Sequence, residues 1–273
     1  MKNIVVPVNF SACARNAALY AADLARMLKA DLYLIHVIQV PVTPAEVVMT
    51  EYLYQTMVDA ANTSLKELQV DLARHTQGKV RVESSLQVGG LGDKVKELCR
   101  EQKPYAIVLG SSGPTLEKFI VGSPLASLLH NLDYPVLVVP ENVPFRHFHR
   151  ILLACELADI CSGLPQSLHL LKDLRQHFGS CFDILTVETP KALANEQGVF
   201  ESDAWKEPFK ELYPEIHFIR THNIEEGIRE YLLHHEADLV MVFPKKHRLL
   251  EFHVSQSRKL ALHSPIPVMS LHE

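Results

Sequence analysis

The sequence predicts an α/β protein of two tandem doubly wound domains, each a five-stranded parallel sheet in the order 3-2-1-4-5 flanked by helices. Three observations predict it. Short apolar, β-branched runs alternate with longer stretches of helical periodicity through residues 1–140. The same order restarts at Arg150, so residues 1–143 and 144–273 read as two copies of one domain. A stretch rich in glycine and serine follows the fourth strand of the first copy, at the carboxyl end of the sheet where folds of this class bind ligands.

The elements follow in order. Ile4 to Val8 is a short β-branched strand that Asn9-Phe10-Ser11 ends. Ser11 or Asn9 can cap the next helix, which runs to about Lys29 with Ala17, Ala21, Leu24, Ala25 and Leu28 on one stripe. Leu32 to Ile38 is the second strand. Pro41 and Pro44 mark a loop, and a long helical segment from about Ala45 to His75 places Val48, Leu53, Met57, Ala60, Leu65, Leu68 and Leu72 on one face. Gln77-Gly78 stops it. Val80 to Val88 alternates as the third strand, and Gly89-Gly90-Leu91-Gly92 opens a helix with Val95 and Leu98 inward. Ala106 to Leu109 and Val136 to Val139 are buried parallel strands four and five.

Between those last two strands lies the stretch with the clearest chemistry. Gly110, Ser111, Ser112 and Gly113 follow strand four, and Gly122-Ser123 precedes a helical pattern. Glycine at the end of a strand lets backbone N–H groups approach phosphate oxygens with no Cβ in the way. A serine at a helix start offers its hydroxyl and the helix N-terminus to the same anion. The bland alternatives are a tight turn and an ordinary helix cap.

Composition bounds the function. The 273 residues are 47% hydrophobic with a formal net charge of −5, and acidic residues outnumber basic ones in both halves. That excludes the basic footprint of a nucleic-acid binder. Cys13, Cys99, Cys155, Cys161 and Cys181 show no C-x-x-C spacing and read as buried free thiols in a reducing compartment. Met1-Lys2 leads straight into a strand, with no signal-peptide pattern and no run of transmembrane length. The expected setting is the cytoplasm, with no membrane partner.

The second copy repeats the strands but not the glycines. Arg150 to Glu156 matches Asn3 to Asn9, and Phe182 to Val187 matches Leu32 to Val37. Ala237 to Val242 is its fourth strand and Pro265 to Leu271 its fifth. Phe243 falls opposite Gly110, Lys246 opposite Gly113 and Val254 opposite Gly122; only Ser255 remains, opposite Ser123.

Taken together, the chain resembles a tandem universal stress protein along nearly its whole length. Many members of that family carry G-x2-G-x9-G-[S/T] and bind ATP. Here the signature stands as Gly110-Ser111-Ser112-Gly113, eight residues, then Gly122-Ser123, one residue short in the spacer. The run Val6-Pro7-Val8-Asn9-Phe10-Ser11 resembles the family's V-P-x-D-F-S, with Asn9 in place of the aspartate that contacts nucleotide. The resemblance implies ATP, with magnesium, held near Asn9, Val37, Gly110, Gly113, Gly122 and Ser123 of the first copy. It also implies pairing of domains through the last strands, Val136 to Val139 and Val268 to Leu271, within the chain or in a homodimer. The alternative is a nucleotide-free scaffold whose two copies pack as a pseudo-dimer.

Other constellations point elsewhere less strongly. A slow ATPase is the most an enzymatic reading adds, because no motif supplies a base or a metal carboxylate and no nucleophile elbow is present. His147 and His149 form an H-x-H pair, too few ligands for a metal site, so none is expected. Pro244-Lys245-Lys246-His247-Arg248 is a basic cluster that reads as a solvated loop.

Overall fold

The computed structural model describes residues 2–39, 51–111, 133–155, 165–188, 209–221, 224–243 and 264–271. The chain divides into two compact units, Met1–Phe145 and Arg146–Glu273.

In the first unit β1 (Asn3–Pro7) is followed by α1 (Ala12–Leu28), β2 (Asp31–Ile38), α2 (Glu51–His75), β3 (Val82–Val88), α3 (Leu91–Gln102), β4 (Ala106–Ser111) and β5 (Val136–Pro140). The strands lie in the order β3-β2-β1-β4-β5, every pair parallel. Ile4, Val5, Val6, Leu32, Leu34, Ile35, Ala106, Ile107, Val108 and Val136 to Val139 are all buried, as befits strands covered on both faces.

Ser11 caps helix α1, its Oγ accepting from Ala14 N–H at 3.2 Å. The expected stripe of Ala17, Ala21, Leu24, Ala25 and Leu28 is buried throughout. Small residues on this helix let it lie close to the sheet, where it packs on β1, β2, β4 and β5. Lys29 closes it in a left-handed conformation, and Ala30 N–H bonds back to Ala25 O at 2.9 Å.

The two other helices depart from the sequence expectation at particular positions, although Leu65, Leu68 and Leu72 of α2 are buried as expected. In α2 the buried residues are Ala61, Leu65, Leu68 and Leu72, whereas Leu53, Met57 and Ala60 are exposed. Val48, expected on the same face, lies outside the described residues. The helix is longer than its support: 25 residues rise about 37 Å, while the seven or eight residues of β3 and β2 span about 25 Å. Its first turns therefore overhang the sheet. In α3, Cys99 rather than Leu98 joins Val95 in the core, and burial pushes the Cys99 thiol up to about 12.

The second unit contains β6 (Arg150–Cys155), α4 (Pro165–Phe178), β7 (Cys181–Glu188), β8 (Glu215–Arg220), α5 (Ile224–His234), β9 (Leu239–Val242) and β10 (Val268–Ser270). Its strands run β10-β9-β6-β7-β8, again all parallel, which is the first unit's order counted from the other side. Phe148, Phe178, Phe182, Phe209 and Tyr231 supply its bulky core. A third strand was expected in this unit but its position, β8, was not: Glu-Ile-His-Phe-Ile-Arg mixes polar and apolar residues in a way that suits an outer strand of a unit and gives a weak periodic signal. Among the described residues no helix is long and apolar enough to cross a membrane.

Candidate functional site

The chain order reverses direction at β1, which lies between β2 and β4. In open α/β sheets the crevice at the carboxyl ends of the strands flanking such a switch is the ligand site. Pairing register shows which residues meet there. β1 pairs with β2 as Asn3↔Asp31 through Pro7↔Ile35, and with β4 as Ile4↔Ala106 and Val5↔Ile107. Continued to the strand ends, the first register brings Asn9 level with Val37, and the second brings Val8 level with Gly110. Three of the six expected residues thus share one edge of the sheet. Gly113, Gly122 and Ser123 lie outside the described residues.

Asn9 is exposed and shapes the turn from β1 into α1. Its Oδ1 accepts from Ser11 N–H at 3.2 Å and from the Ser11 hydroxyl at 2.7 Å. The Ser11 oxygen then accepts from Ala14 N–H, so one short relay ends the strand and starts the helix. Phe10, between them, has φ +63°. A bulky non-glycine residue in that region is strained, and local contacts must hold it there. The Phe10 ring lies against His36, centroids 4.5 Å apart, and Arg15 Nε donates to Phe10 O at 3.4 Å. His36 Nδ1 donates to Val8 O at 2.7 Å, tying β2 to the residue that follows β1. Val37 is buried beside it.

Gly110 has a structural duty that its sequence context did not reveal. A Cβ there would stand 2.5 Å from both Cys13 O and Cys13 Sγ and 2.8 Å from Cys13 C. Strand β4 therefore ends directly beneath the first turn of α1, at a separation only glycine permits. The Cys13 thiol in this contact is pushed up to about 11, first by burial and then by the charge of Glu141. It is an unreactive packing group at neutral pH. Asn16, one turn along α1, donates from Nδ2 to Pro140 O at 3.1 Å and Val143 O at 3.2 Å, fixing the end of β5 to the same helix.

This unit matches the model of the universal stress protein family across residues 1–140. The chain belongs to the universal stress protein family. A universal stress protein of Methanocaldococcus jannaschii is 28% identical over 144 residues, which is 51% of this chain and 82% of that one. Universal stress protein G of Escherichia coli O157:H7 is 30% identical over 74 residues, 27% of this chain and 52% of that one. The crystal structure of a universal stress protein from Archaeoglobus fulgidus DSM 4304 superposes with a TM-score of 0.76 at 15% identity, covering 99% of this chain and 96% of that one. The last likeness shows the universal stress fold along the whole chain.

Within the second unit the register supports the internal alignment. β6 pairs with β9 as Ile151↔Leu239 through Ala154↔Val242, so the residues aligned with Ile4 and Ala106 are paired in the same way as Ile4↔Ala106 in the first unit. Phe243, half-buried, stands in Gly110's place. The expected counterparts Glu156, Lys246, Val254 and Ser255 lie outside the described residues.

That unit's most concentrated chemistry is elsewhere, and sequence reasoning missed it. Asp183, 1% exposed on β7, accepts from Arg150 Nη1 at 3.2 Å and from the Tyr231 hydroxyl at 2.9 Å. Glu215 lies 3.7 Å from the same Arg150 nitrogen. Burial, then the hydrogen bond to Asp183 and its charge, push the Tyr231 phenol far up. The guanidinium of Arg150 is raised too, chiefly by Asp183. An aspartate inside an apolar run, Phe182-Asp183-Ile184-Leu185, was the available signal.

Proposed function

We propose that the first unit binds ATP, or a related adenine nucleotide, as a regulatory ligand of a stress-response protein, and that the second unit does not bind one. The observation that carries this reading is the shared level of Asn9, Val37 and Gly110 at the switch point, against Phe243 at the equivalent position. Gly113, Gly122 and Ser123 follow Gly110 in the family's phosphate-binding order, with magnesium as the natural counter-ion of the phosphates.

Asn9 changes what the crevice reads. Its Oδ1 is engaged by Ser11, which leaves the side-chain amide hydrogens as donors at the site. An aspartate in that position offers acceptors only. The partner of Asn9 is then an acceptor on the ligand, a ribose oxygen or a purine ring nitrogen. A Cβ on Gly110 would collide with Cys13 with or without a ligand, so Gly110 is a poor probe of phosphate binding and Gly122 is the better one.

Titration calorimetry of the full chain with ATP and magnesium tests the reading. One site per chain is expected, and Gly122→Val, which copies Val254 into the first unit, is expected to abolish it. Two sites per chain would overturn the asymmetry. Unchanged affinity in Gly122→Val would remove the glycine loop from the argument, and no binding by the wild type would favour the scaffold.

A further inference from the structure

The second unit holds a cluster that the nucleotide reading leaves unused. Register places Asp183 of β7 opposite Glu215 of β8, and Leu185 opposite His217. Residues two apart on a strand share a face, so Asp183, Glu215 and His217 converge on one side of the sheet near the amino ends of these strands. One ligand atom from each lies within 4.8 Å of the others. His217 Nε2 is 3.9 Å from Glu215 Oε2. That nitrogen is buried and has no hydrogen-bond partner.

We propose that Asp183, Glu215 and His217 form a binding site for a divalent transition ion of the zinc type, with Arg150 as its built-in competitor. The donor set, one imidazole and two carboxylates, leaves a fourth position for water and suits such an ion. Ligand atoms on tetrahedral zinc lie about 3.3 Å apart, so the cluster must close modestly. Glu215, whose side chain is 66% exposed, has the freedom to do it. The Tyr231 hydroxyl already orients Asp183, the kind of outer hydrogen bond that holds ligating carboxylates in place. An unpartnered buried imidazole nitrogen is costly as it stands, and coordination would satisfy it.

Arg150 places its Nη1 3.2 Å from Asp183 Oδ2 and 3.7 Å from Glu215 Oε2, so these carboxylates already serve a cation. Its side chain is 38% exposed and can withdraw into solvent when a doubly charged ion arrives. An ordinary ion-pair network and a metal site differ here in sign. Removing Arg150 leaves a network weaker, but it frees a metal site of a like charge.

The test is titration of the full chain with zinc chloride by calorimetry, repeated with cobalt(II) to read its ligand-field absorbance. The expected result is a zinc site weakened by about tenfold or more in His217→Ala, the scale on which metal shells respond to mutation. Glu215→Gln, at an exposed side chain, repeats that test without disturbing the core. Arg150→Met is expected to bind zinc about tenfold more tightly, since a charge a few ångströms away is removed. A double His147→Ala, His149→Ala variant is expected to keep the site, separating it from the H-x-H pair. No zinc binding by the wild type, wild-type affinity in both His217→Ala and Glu215→Gln, or equal or weaker binding in Arg150→Met would each overturn the proposal.

Discussion

Replacing Gly110 by alanine puts the packing of α1 on β4 to a quantitative test. The new Cβ would lie 2.5 Å from Cys13 O and Sγ and 2.8 Å from Cys13 C. Carbon–oxygen contacts are comfortable from about 3.3 Å, so about 0.8 Å must be recovered by movement. The Cys13 thiol can turn aside, but its carbonyl belongs to the first turn of a helix whose inner face is buried from Cys13 to Leu28. Overpacking of this kind costs about 1–3 kcal/mol, and a helix so firmly seated favours the upper part of that range. The lower entropy of the unfolded alanine variant returns about 0.4–1 kcal/mol. The net expectation is a loss of about 2 kcal/mol. Urea unfolding followed by circular dichroism measures it. Labelling with a thiol reagent assigns the loss to the first unit, because Cys13 and Cys99 are buried there while Cys181 of the second unit is exposed. Adding Cys13→Ala removes Sγ but not the carbonyl, so it should restore less than half of the loss. Stability within about 0.5 kcal/mol of wild type, the usual range for surface changes, would refute the close approach. Full rescue by Cys13→Ala would refute the part assigned to the backbone.

The same measurements check three further expectations. The Cys99 thiol is fully buried and pushed from 9.0 up to about 12, so its contribution is complete below pH 9 and is lost as pH rises from there towards 12. Across that window it should steepen the alkaline fall in stability by about 1.4 kcal/mol per pH unit, a slope that Cys99→Ala should remove from urea midpoints taken between pH 8 and 10.5. Tyr231→Phe deletes a donor to the buried Asp183 and should cost about 1–3 kcal/mol, seen as an earlier urea midpoint of the second unit; an unchanged midpoint would show that Asp183 does not need it. Phe10→Gly should stay within about 1 kcal/mol of wild type, because glycine gains at φ +63° what is lost with the ring against His36, whereas the β-branched Phe10→Val should lose about 1–3 kcal/mol.

Much of the fold was legible because single patterns decided it. The alanine stripe of α1 and the apolar runs of β1, β4 and β5 leave one face or both faces for the core, and they are buried as read. The overhang of α2 was not legible: Leu53 and Met57 continue the helical spacing beyond the sheet they were assumed to cover. Sequence periodicity does not record where the neighbouring strands end. The five-strand count included β8, but its place in the sequence was missed because an outer strand can alternate polar and apolar residues loosely. At the site, the pairing register brings Asn9, Val37 and Gly110 to one edge of the sheet, but the packing need for Gly110 was not legible. Its requirement comes from Cys13, nearly a hundred residues earlier, and nothing local to a glycine reveals such a contact. The Asp183 cluster shows the same blindness, since its partners come from β6, β8 and α5.

Asp183 also sets the alignment of the strands around it. In a parallel pair a slip of one residue turns every side chain to the opposite face. β7 is apolar on both sides of Asp183, with Phe182, Ile184 and Leu185 all buried, so hydrophobicity alone distinguishes poorly between correct and shifted pairing. A slipped β7 would carry the carboxylate away from Arg150 and Tyr231 into an apolar layer, where an unpaired charge is heavily penalised. One acidic residue thereby acts as an indexing pin: it adds little to the depth of the native well and instead raises the misregistered arrangements around it.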